Sequence, residues 1–387
     1  MSSLSGPDAG HRWWQRRDFM NKKTQIRILA LMTDAFGGQG GISEYNRNLL
    51  TALSGTDGVG EIVVLPRLGQ ARPEELPARV RQEMPIFSKI GYSARATASV
   101  VMKGPFDLVL CGHIFQAPLA AVIARSLKIP LWLQLHGIDA WTCPSSVVRW
   151  GVEQSDLVTV VSRYTKRKCL AWGNVHPEKV RVLPNTVSDR FAPGPKSPQI
   201  LGQYGLQGKR ILLTVSRISL DDWYKGHHRV FAVMPHLLRE YPDLVYVAAG
   251  EGDGREKLQR QASVLGLGDS VKFIGRVSDE ELPDLYRSAD VFVMPSTEEG
   301  FGIVFLEAMR SGIPTIGGNG DGSMDPLRDG AAGDVVSCNN PVELLEAIRS
   351  ALDKPRDCTR HADVFSLASF AEHCAGLLSD CLIKASH

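Results

Sequence analysis

Short apolar segments alternate with amphipathic and polar segments along almost the whole chain of 387 residues. Buried strands separated by helices are typical of a parallel, doubly wound α/β sheet. In the first half the pattern predicts strands at 26–32, 61–67, 106–113, 130–139, 157–161 and 180–187, with a polar loop and one helix within 70–104. In the second half it predicts strands at 211–218, 244–249, 271–277 and 291–296.

The alternation is interrupted at residues 191–208, which hold three prolines and four glycines. This composition predicts a linker, so we expect two domains, at 25–190 and 209–365. A further helix is expected within 366–387. Residues 1–24 are hydrophilic, and we expect a disordered leader there.

Charge is unevenly distributed, although the net charge is only +2. Residues 1–195 carry 24 Lys and Arg against 15 Asp and Glu, whereas residues 196–387 carry 20 against 27. A basic first half suits an anionic acceptor or an anionic membrane face. The leader also holds a basic-aromatic patch, HRWWQRR, that could touch a membrane surface. An unevenly charged, solvated surface would explain the same numbers.

Composition and cysteine spacing favour a cytoplasmic globular protein, with 43% hydrophobic and 22% charged residues. The seven cysteines are odd in number and no two have CxxC spacing, which argues for reduced thiols and against a zinc site. No apolar run approaches the ~20 residues that a membrane helix needs. A nucleic-acid role is not expected, because no aromatic-basic sheet motif is present.

The segment EGFGIVFLE, residues 299–307, follows one predicted strand and begins a predicted helix. Open α/β sheets bind ligands at the carboxyl ends of their strands, and the free N–H groups of a helix start favour an anion. Arg217 and Lys225 follow an earlier strand, and two cations beside a helix N-terminus fit a diphosphate. Glu299 would then bind sugar hydroxyls and Glu307 a ribose diol.

Each of these four residues, taken alone, could be an ordinary surface charge; their common place at strand ends points to a site. No acidic box such as DxD stands at an evident strand end. We therefore expect no metal, with the cations neutralising the leaving group instead.

In the first half, the strand at 26–32 runs into a glycine loop at 36–41 and then into a helix. Such a loop could bind a phosphate or a sugar hydroxyl, or merely make a tight turn, and its spacing is not the dinucleotide-binding GxGxxG. His136 ends an apolar strand and could bond a sugar hydroxyl or act as an acid or base, although most such histidines are structural. His113 is the weaker candidate.

Several motifs together carry a family resemblance: FGGQGGISEYNRNLL, LHGID, VSRYT, LPNTV, SRI followed by YKGHHRV, GEGDG and, most specifically, EGFGIVFLEAMRSGIPTI. Over residues 26–365 the chain resembles the retaining GT-B glycosyltransferases of family 4 (glycosyl transferases group 1), whose E-x7-E signature matches Glu299 and Glu307. The resemblance implies two Rossmann-like domains with parallel sheets facing across a cleft, the first for an acceptor and the second for a nucleotide sugar. It also implies that the helix in 366–387 crosses back onto the first domain.

The resemblance assigns roles to the matching residues of this chain. It implies catalytic roles for Glu299, His136, Arg217 and Lys225. It implies donor binding by Arg217, Lys225, Gly250, Ile274, Arg276, Val277, Glu299, Gly300, Phe301, Gly302, Ile303 and Glu307. It implies an acceptor or phosphate loop with Gly37, Gly38, Gly41, His113 and Asp139. The insert LDDWY between Arg217 and Lys225 is longer than in many relatives.

The implied reaction moves a hexose from GDP-mannose or a UDP-hexose to a hydroxyl of a glycan or lipid-linked acceptor, with retention of configuration and without metal or cofactor. The implied setting is lipopolysaccharide or exopolysaccharide biosynthesis, in the cytoplasm or peripherally at the inner face of the membrane. A nucleotide-sugar epimerase of the same fold and a catalytically silent nucleotide-sugar-binding subunit are the alternatives. The E-x7-E match argues against the first, and the complete set of charged residues argues against the second.

Overall fold

The computed structural model describes residues 25–69 and 75–384. These residues fold into two compact units. The first unit comprises the chain up to Leu183 and again from Leu367, and the second unit comprises Pro184–Ser366. The predicted leader, residues 1–24, lies outside the described residues.

In the described part of the first unit, seven parallel strands pair in the order β3-β2-β1-β4-β5-β6-β7. Their near-continuous apolar sequences fit a sheet that is covered on both faces by helices. The strands are β1 Ile26–Met32, β2 Val59–Pro66, β3 Val80–Gln82, β4 Leu108–Cys111, β5 Leu131–Leu135, β6 Leu157–Val160 and β7 Val180–Val182.

The helices of the first unit bury their apolar faces against this sheet, in a core that includes Leu29, Val109 and Leu133. The last helix of the chain also belongs to this unit and packs on the first helix. The helices are α1 Gly41–Ser54, α2 Lys89–Lys103, α3 Ala117–Leu127, α4 Ser146–Glu153, α5 Arg163–Trp172 and, at the end of the chain, Leu367–Lys384.

The second unit repeats the design with six parallel strands among its described residues, in the order β10-β9-β8-β11-β12-β13. The strands are β8 Arg210–Val215, β9 Leu244–Ala249, β10 Val271–Gly275, β11 Val291–Met294, β12 Thr315–Gly318 and β13 Asp334–Val336. The helices are α6 Pro198–Gln203, α7 His227–Glu240, α8 Arg255–Val264, α9 Leu282–Ser288, α10 Ile303–Arg310, α11 Pro341–Asp353 and α12 Thr359–Ala362, and the Leu367–Lys384 helix is α13.

Each sheet has one switch point, where the strand order changes direction. It lies between β1 and β4 in the first sheet and between β8 and β11 in the second. Loops that leave neighbouring strands on opposite sides of such a point open a crevice at the carboxyl edge, which is where doubly wound sheets bind ligands. The predicted fold class, α/β with two Rossmann-like domains, is confirmed by these two sheets.

Several local predictions differ from the structure, and the strands predicted at 130–139 and 180–187 are observed as Leu131–Leu135 and Val180–Val182. The predicted strand at 106–113 is shorter, at Leu108–Cys111, and the predicted loop within 70–104 includes the edge strand β3. The proposed linker, residues 191–208, lies inside the second unit and contains α6. It is tied down there by an ion pair between Lys196 Nζ and Asp290, 2.6 Å long, which the proline and glycine content did not reveal.

Candidate functional site

The loops after β8 and β11 are neighbours at the switch point of the second sheet. Arg217 is the second residue after β8, and Glu299 lies in the loop between β11 and α10. The loops after β9 and β10 continue along the same edge and carry Gly250 and Arg276. The topology therefore places the predicted donor residues along one edge of the second sheet.

Lys225 and Glu299 form an ion pair at this edge, through Lys225 Nζ and Glu299 Oε2. Both side chains are only 15% exposed, so water screens the pair less than it would a surface pair. Lys225 carries three N–H donors, and this contact uses one of them. The pair can thus hold both side chains in place while Lys225 keeps donors for a ligand.

Lys225 directly follows the insert LDDWY. Residues Leu220–Lys225 form two short 3-10 turns with a kink at Asp222, and Gly226 follows them and leads into α7. Within this segment, Asp222 accepts hydrogen bonds from both Nε and Nη2 of Arg217, the second at 2.8 Å. The predicted loop is therefore a folded turn that fixes both cations.

Asp222 was not among the predicted site residues, yet it holds Arg217. Its side chain is 2% exposed, whereas that of Arg217 is 71% exposed. Burial would raise the pKa of the Asp222 carboxyl, but the hydrogen bonds and charge of Arg217 outweigh burial and lower it. Asp222 is thus ionised at neutral pH and orients a guanidinium that solvent can reach.

Helix α10 begins directly after the glycine-bearing loop, with Gly302 as its N-cap. Gly302 has a φ of 86°, and a Cβ there would lie 2.5 Å from the Phe305 ring, so glycine is required on both counts. Phe301 is buried against Phe365, with ring centroids 5.8 Å apart. The backbone of Gly300, Phe301 and Ile303 is consequently held in one conformation at a helix start, where an anion is favoured.

Glu307 lies inside α10 and is 4% exposed. Its Oε2 accepts a hydrogen bond of 2.7 Å from the hydroxyl of Tyr286. The structure thus separates the two carboxylates of the E-x7-E signature, one in the loop and one in the helix. The binding of a ribose diol by Glu307 stays a prediction.

The loops after β9 and β10 bring the remaining predicted donor residues to the edge. Gly250 donates its N–H to the carbonyl of Gly275 at 2.7 Å, and a Cβ on Gly250 would lie 1.8 Å from the carbonyl oxygen of Ser216. Only glycine fits there, because the loops after β8 and β9 are in backbone contact. Ile274, Arg276 and Val277 stand at the end of β10, beside this contact, and their role at a nucleotide base stays a prediction.

Asp321 is a second residue that the sequence reasoning missed. It lies in the loop after β12 and is almost completely buried. Its carboxylate accepts from the Glu299 N–H at 2.6 Å, the Ser296 hydroxyl at 2.8 Å and the Ser323 N–H at 2.9 Å. Burial raises the pKa of the Asp321 carboxyl by more than these hydrogen bonds lower it. Asp321 thereby fixes the backbone of the loop that presents Glu299, and its only sequence signal was its place in a glycine-rich strand-end loop.

In the first unit, the glycine loop follows β1 and leads into α1, as predicted from the sequence. Gly37 precedes the helix start, Gly38 lies against the Asp34 side chain, and Gly41 is the first residue of α1. The loop after β4, on the other side of the switch point, carries His113. These residues line the carboxyl edge of the first sheet, and their contact with an acceptor or a phosphate stays a prediction.

His113 and His136 lie close together at this edge, with ring centroids 6.1 Å apart. His136 Nε2 is 2.8 Å from the carbonyl oxygen of Gly112, so Nε2 must carry the proton and Nδ1 is left as the acceptor. Burial lowers the pKa of His136 to about 4, and burial also lowers that of His113. Both imidazoles are therefore neutral at physiological pH.

Asp139 lies in a short 3-10 turn after β5, beside these imidazoles. Its charge raises the pKa of both histidines, although less than burial lowers it. Within residues 25–69 and 75–384, no group of three or more His, Cys, Asp or Glu side chains could hold a metal ion. The structure thus brings together Lys225, Glu299 and the α10 start in the second unit, and His113, His136 and Asp139 in the first.

Two sequence models of known families match the chain, one for each half. Residues 39–191 match Glycosyltransferase Family 4, and residues 197–366 match Glycosyl transferases group 1. A GDP-mannose-dependent alpha-(1-6)-phosphatidylinositol monomannoside mannosyltransferase of Mycobacterium tuberculosis is 30% identical over 354 residues, 84% of this chain and 89% of that protein. The enzyme of the same name from Mycolicibacterium smegmatis is 33% identical over 210 residues, which span about half of each chain, 52% and 54%.

Solved structures share the fold at lower sequence identity. The crystal structure of Anabaena Alr3699/HepE in complex with UDP and glucose superposes with a TM-score of 0.73 and 22% identity, covering 92% of this chain and 99% of that chain. The similarity to the mycobacterial enzyme covers 84% of this chain and therefore extends over both units. The chain belongs to the GT-B-fold glycosyltransferases of family 4, the glycosyl transferases group 1.

Proposed function

We propose that the protein transfers a hexose from GDP-mannose or a UDP-hexose to a hydroxyl of a glycan or lipid-linked acceptor, with retention of configuration. The observation that carries this proposal is the shielded pair of Lys225 and Glu299 beside the start of α10, at the switch point of the second sheet. A cation, a carboxylate and a helix N-terminus at one edge suit the diphosphate and the sugar of one extended ligand.

The donor would lie along the carboxyl edge of the second sheet. Its diphosphate would contact Lys225, Arg217 and the first N–H groups of α10, and its sugar hydroxyls would bond Glu299. The ribose and base would extend toward Glu307 and the loop after β10. The mycobacterial relative is named for GDP-mannose, and the HepE structure contains UDP. Both GDP-sugars and UDP-sugars are therefore tested as donors.

The difficult step is departure of the nucleoside diphosphate, because negative charge grows on its outer phosphate. Donors that are already in place stabilise such charge without reorganisation, which is often the largest catalytic contribution. Lys225 is fixed by Glu299, and Arg217 is fixed by Asp222. We propose that these two cations take the part that a divalent metal has in other transferases, so that a chelator leaves the rate unchanged.

Retention would follow from attack on the face that the diphosphate leaves. The bond from the anomeric carbon to the phosphate oxygen breaks, the bond to the acceptor oxygen forms, and the acceptor proton passes to the leaving phosphate. Glu299 would position the sugar and stabilise its positive charge. His136, whose Nδ1 is left as an acceptor, would bond a hydroxyl and would not supply a charge.

The acceptor and the cellular setting belong to the same proposal. Ile90, Val101 and Met102 on α2 are 84%, 80% and 80% exposed, and the same helix carries Lys89 and Arg95. Apolar and basic side chains on one helix suit contact with an anionic membrane. In the part of the chain that the structure describes, no helix is long and apolar enough to cross a membrane. We propose that the protein acts as a peripheral protein at the cytoplasmic face of the membrane, in the assembly of a surface polysaccharide.

A donor panel tests the proposal. GDP-mannose, UDP-glucose, UDP-galactose and UDP-N-acetylglucosamine are each incubated with the protein, and nucleoside diphosphate release and thermal stabilisation are measured. We expect one donor to be hydrolysed slowly alone and used faster with a glycan or lipid-linked acceptor. Epimerised donor without release would favour the epimerase, and stabilisation without turnover would favour the silent binding subunit.

A further inference from the structure

Three charged side chains at the carboxyl edge of the first sheet each hold a buried polar atom without a hydrogen-bond partner in the described chain. The atoms are Oδ1 of Asp34, Nε of Arg67 and Oδ2 of Asp139. Buried polar atoms are almost always paired in folded proteins, and leaving one unpaired is unfavourable, more so when the group is charged. The three side chains follow strands of one sheet edge, and a ligand bound at this edge would supply the missing partners.

Topology brings the three side chains to one edge. Asp34 follows β1, Arg67 follows β2 directly, and Asp139 follows β5. Strand β1 pairs with both β2 and β4, and β4 pairs with β5. The backbone N–H of Arg67 donates to the carbonyl of Met32 at 2.9 Å, so the two loops start side by side.

His113 is close enough to Asp139 and Arg67 for both charges to act on its pKa. Burial is the main cause of its lowered pKa, Asp139 opposes that change and Arg67 adds to it. Arg67 nevertheless forms no ion pair with any carboxylate of residues 25–69 and 75–384 within 4.0 Å. The guanidinium of Arg67 and the carboxylates of Asp34 and Asp139 thus lie at one sheet edge without forming ion pairs with one another.

The chemistry of the three groups defines what would complete them. Carboxylate oxygens accept hydrogen bonds from hydroxyls, whereas a guanidinium donates and prefers a phosphate or a carboxylate. The neutral imidazoles of His113 and His136 do not compete for an anion. A ligand with several hydroxyls and one phosphate satisfies all three unpaired atoms.

We infer that the first unit binds an acceptor of this chemical class, a polyol that carries a phosphate, with the phosphate on Arg67 and hydroxyls on Asp34 and Asp139. The inference rests on the proposed function and specifies its acceptor. The phosphate can be a free monoester or the diester of a lipid headgroup, because both present the same oxygens to Arg67.

Binding experiments test the inference without requiring the natural acceptor. The protein is first saturated with its nucleoside diphosphate, so that the donor phosphate site is filled. Calorimetry then compares myo-inositol 1-phosphate, mannose 6-phosphate and glycerol 3-phosphate with the same three polyols lacking phosphate. Vesicles of phosphatidylcholine with and without phosphatidylinositol form a separate arm, read by co-sedimentation.

We expect at least one phosphorylated polyol to bind tenfold or more tightly than its phosphate-free partner. Arg67→Gln should remove that preference, a loss of about 10-fold to 100-fold in affinity for the phosphorylated form, and Arg67→Lys should restore part of it. Arg125→Gln is the matched control, because Arg125 is exposed on α3 and the described hydrogen bond of its side chain is to Gln154. Arg67-dependent binding to the phosphatidylinositol vesicles would identify a lipid source, and binding of soluble phosphates alone would identify a free one.

Equal affinity for all phosphorylated and phosphate-free polyols in the wild-type protein overturns the inference, even if Arg67→Gln fails to fold. A phosphate preference that Arg67→Gln retains in folded form also overturns it. Donor hydrolysis is measured on the same samples. Absence of a phosphate preference in the wild-type protein, with normal donor turnover, refutes this inference alone, whereas absence of any donor turnover refutes the proposed function.

Discussion

The carboxyl edges of the two sheets differ in how their charged groups are satisfied. At the second edge, Lys225 is paired with Glu299 and Arg217 with Asp222, and Asp321 accepts three hydrogen bonds. At the first edge, Asp34, Arg67 and Asp139 each keep a buried atom without a hydrogen-bond partner in the described chain. The charged groups of the second edge are thus held by partners within the chain, whereas three charged groups of the first edge each have an unpaired buried atom.

This difference matches the two tasks of a transferase. The leaving diphosphate needs charges that do not move while the bond breaks, because preorganised groups cost no reorganisation. An acceptor is chosen by its fit, and unpaired buried groups reject molecules that lack the matching donors and acceptors. We therefore expect substitutions at the second edge to lower the rate, and substitutions at the first edge to change which acceptor binds.

The largest effect is expected for Glu299→Gln. The substitution keeps the size of the side chain but removes its charge, and with it the ion pair to Lys225 and the stabilisation of positive charge on the sugar. We expect a loss of about 10³-fold in transfer rate, with an unchanged circular dichroism spectrum. Glu298→Gln is the matched control, since Glu298 is the exposed neighbour. Equal losses in the two variants would mean that Glu299 has no special role.

A smaller loss, about 10²-fold in kcat, is expected for Lys225→Ala. The ammonium would no longer stabilise the departing phosphate, while binding of the ground-state donor should weaken less. Steady-state kinetics separate the effect on kcat from the effect on KM for the donor, and Lys209→Ala supplies a control at an exposed lysine. A variant that changes KM alone would show that Lys225 binds the donor without assisting its departure.

Asp321→Asn should lower the transfer rate about tenfold, because the amide leaves at least one of three donors unpaired, at about 1–3 kcal/mol. The pH dependence adds a second readout. The carboxyl pKa is raised in the folded protein, so the folded state holds its proton more tightly than the unfolded state does. The wild type should therefore lose stability relative to the variant as the pH rises from 4 through the raised pKa. Urea unfolding at several pH values measures this difference, and parallel curves would contradict it.

The smallest effect concerns His136. With its pKa lowered to about 4 from 6.5, His136 is neutral across physiological pH, so it should add no inflection to the rate between pH 5.5 and 8. The unfolded protein takes up the proton near pH 6.5 and the folded protein does so only near 4. Stability should hence fall on acidification across that range, by about 3 kcal/mol, and His136→Gln should remove this part of the fall. A rate inflection near pH 6.5 that His136→Gln abolishes would show that protonation of His136 affects the transfer rate, which contradicts this prediction.

The sequence alone was sufficient for the fold and for the positions of most strands, although most predicted strands extend past the observed ends. The first strand, residues 26–32, is observed with the predicted bounds, because six of its seven positions are apolar and buried, with Arg27 as the exception. The glycine loop before α1 and the start of α10 were likewise predictable, since each follows such a strand. Local pattern determines these features, and no distant contact is needed to recognise them.

The partners of the charged residues could not be predicted, because they come from distant parts of the chain. Asp321 reaches the N–H of Glu299 across 22 residues, and Lys225 reaches Glu299 across 74. The segment at 191–208 was taken as a linker on its composition, yet Lys196 is bound by Asp290, 94 residues away. Side-chain pairing depends on the assembled sheet, which periodicity does not encode.

The anomeric configuration of the product tests the central claim most directly. The best donor from the panel, supplied as its α-anomer, is converted with an accepted acceptor, and the product is examined by proton NMR before it can equilibrate. A retaining donor site at the second edge predicts an α-linked product from the wild-type protein, the same product from Glu298→Gln and almost none from Glu299→Gln. A β-linked product, or equal yields from the two glutamate variants, would contradict it.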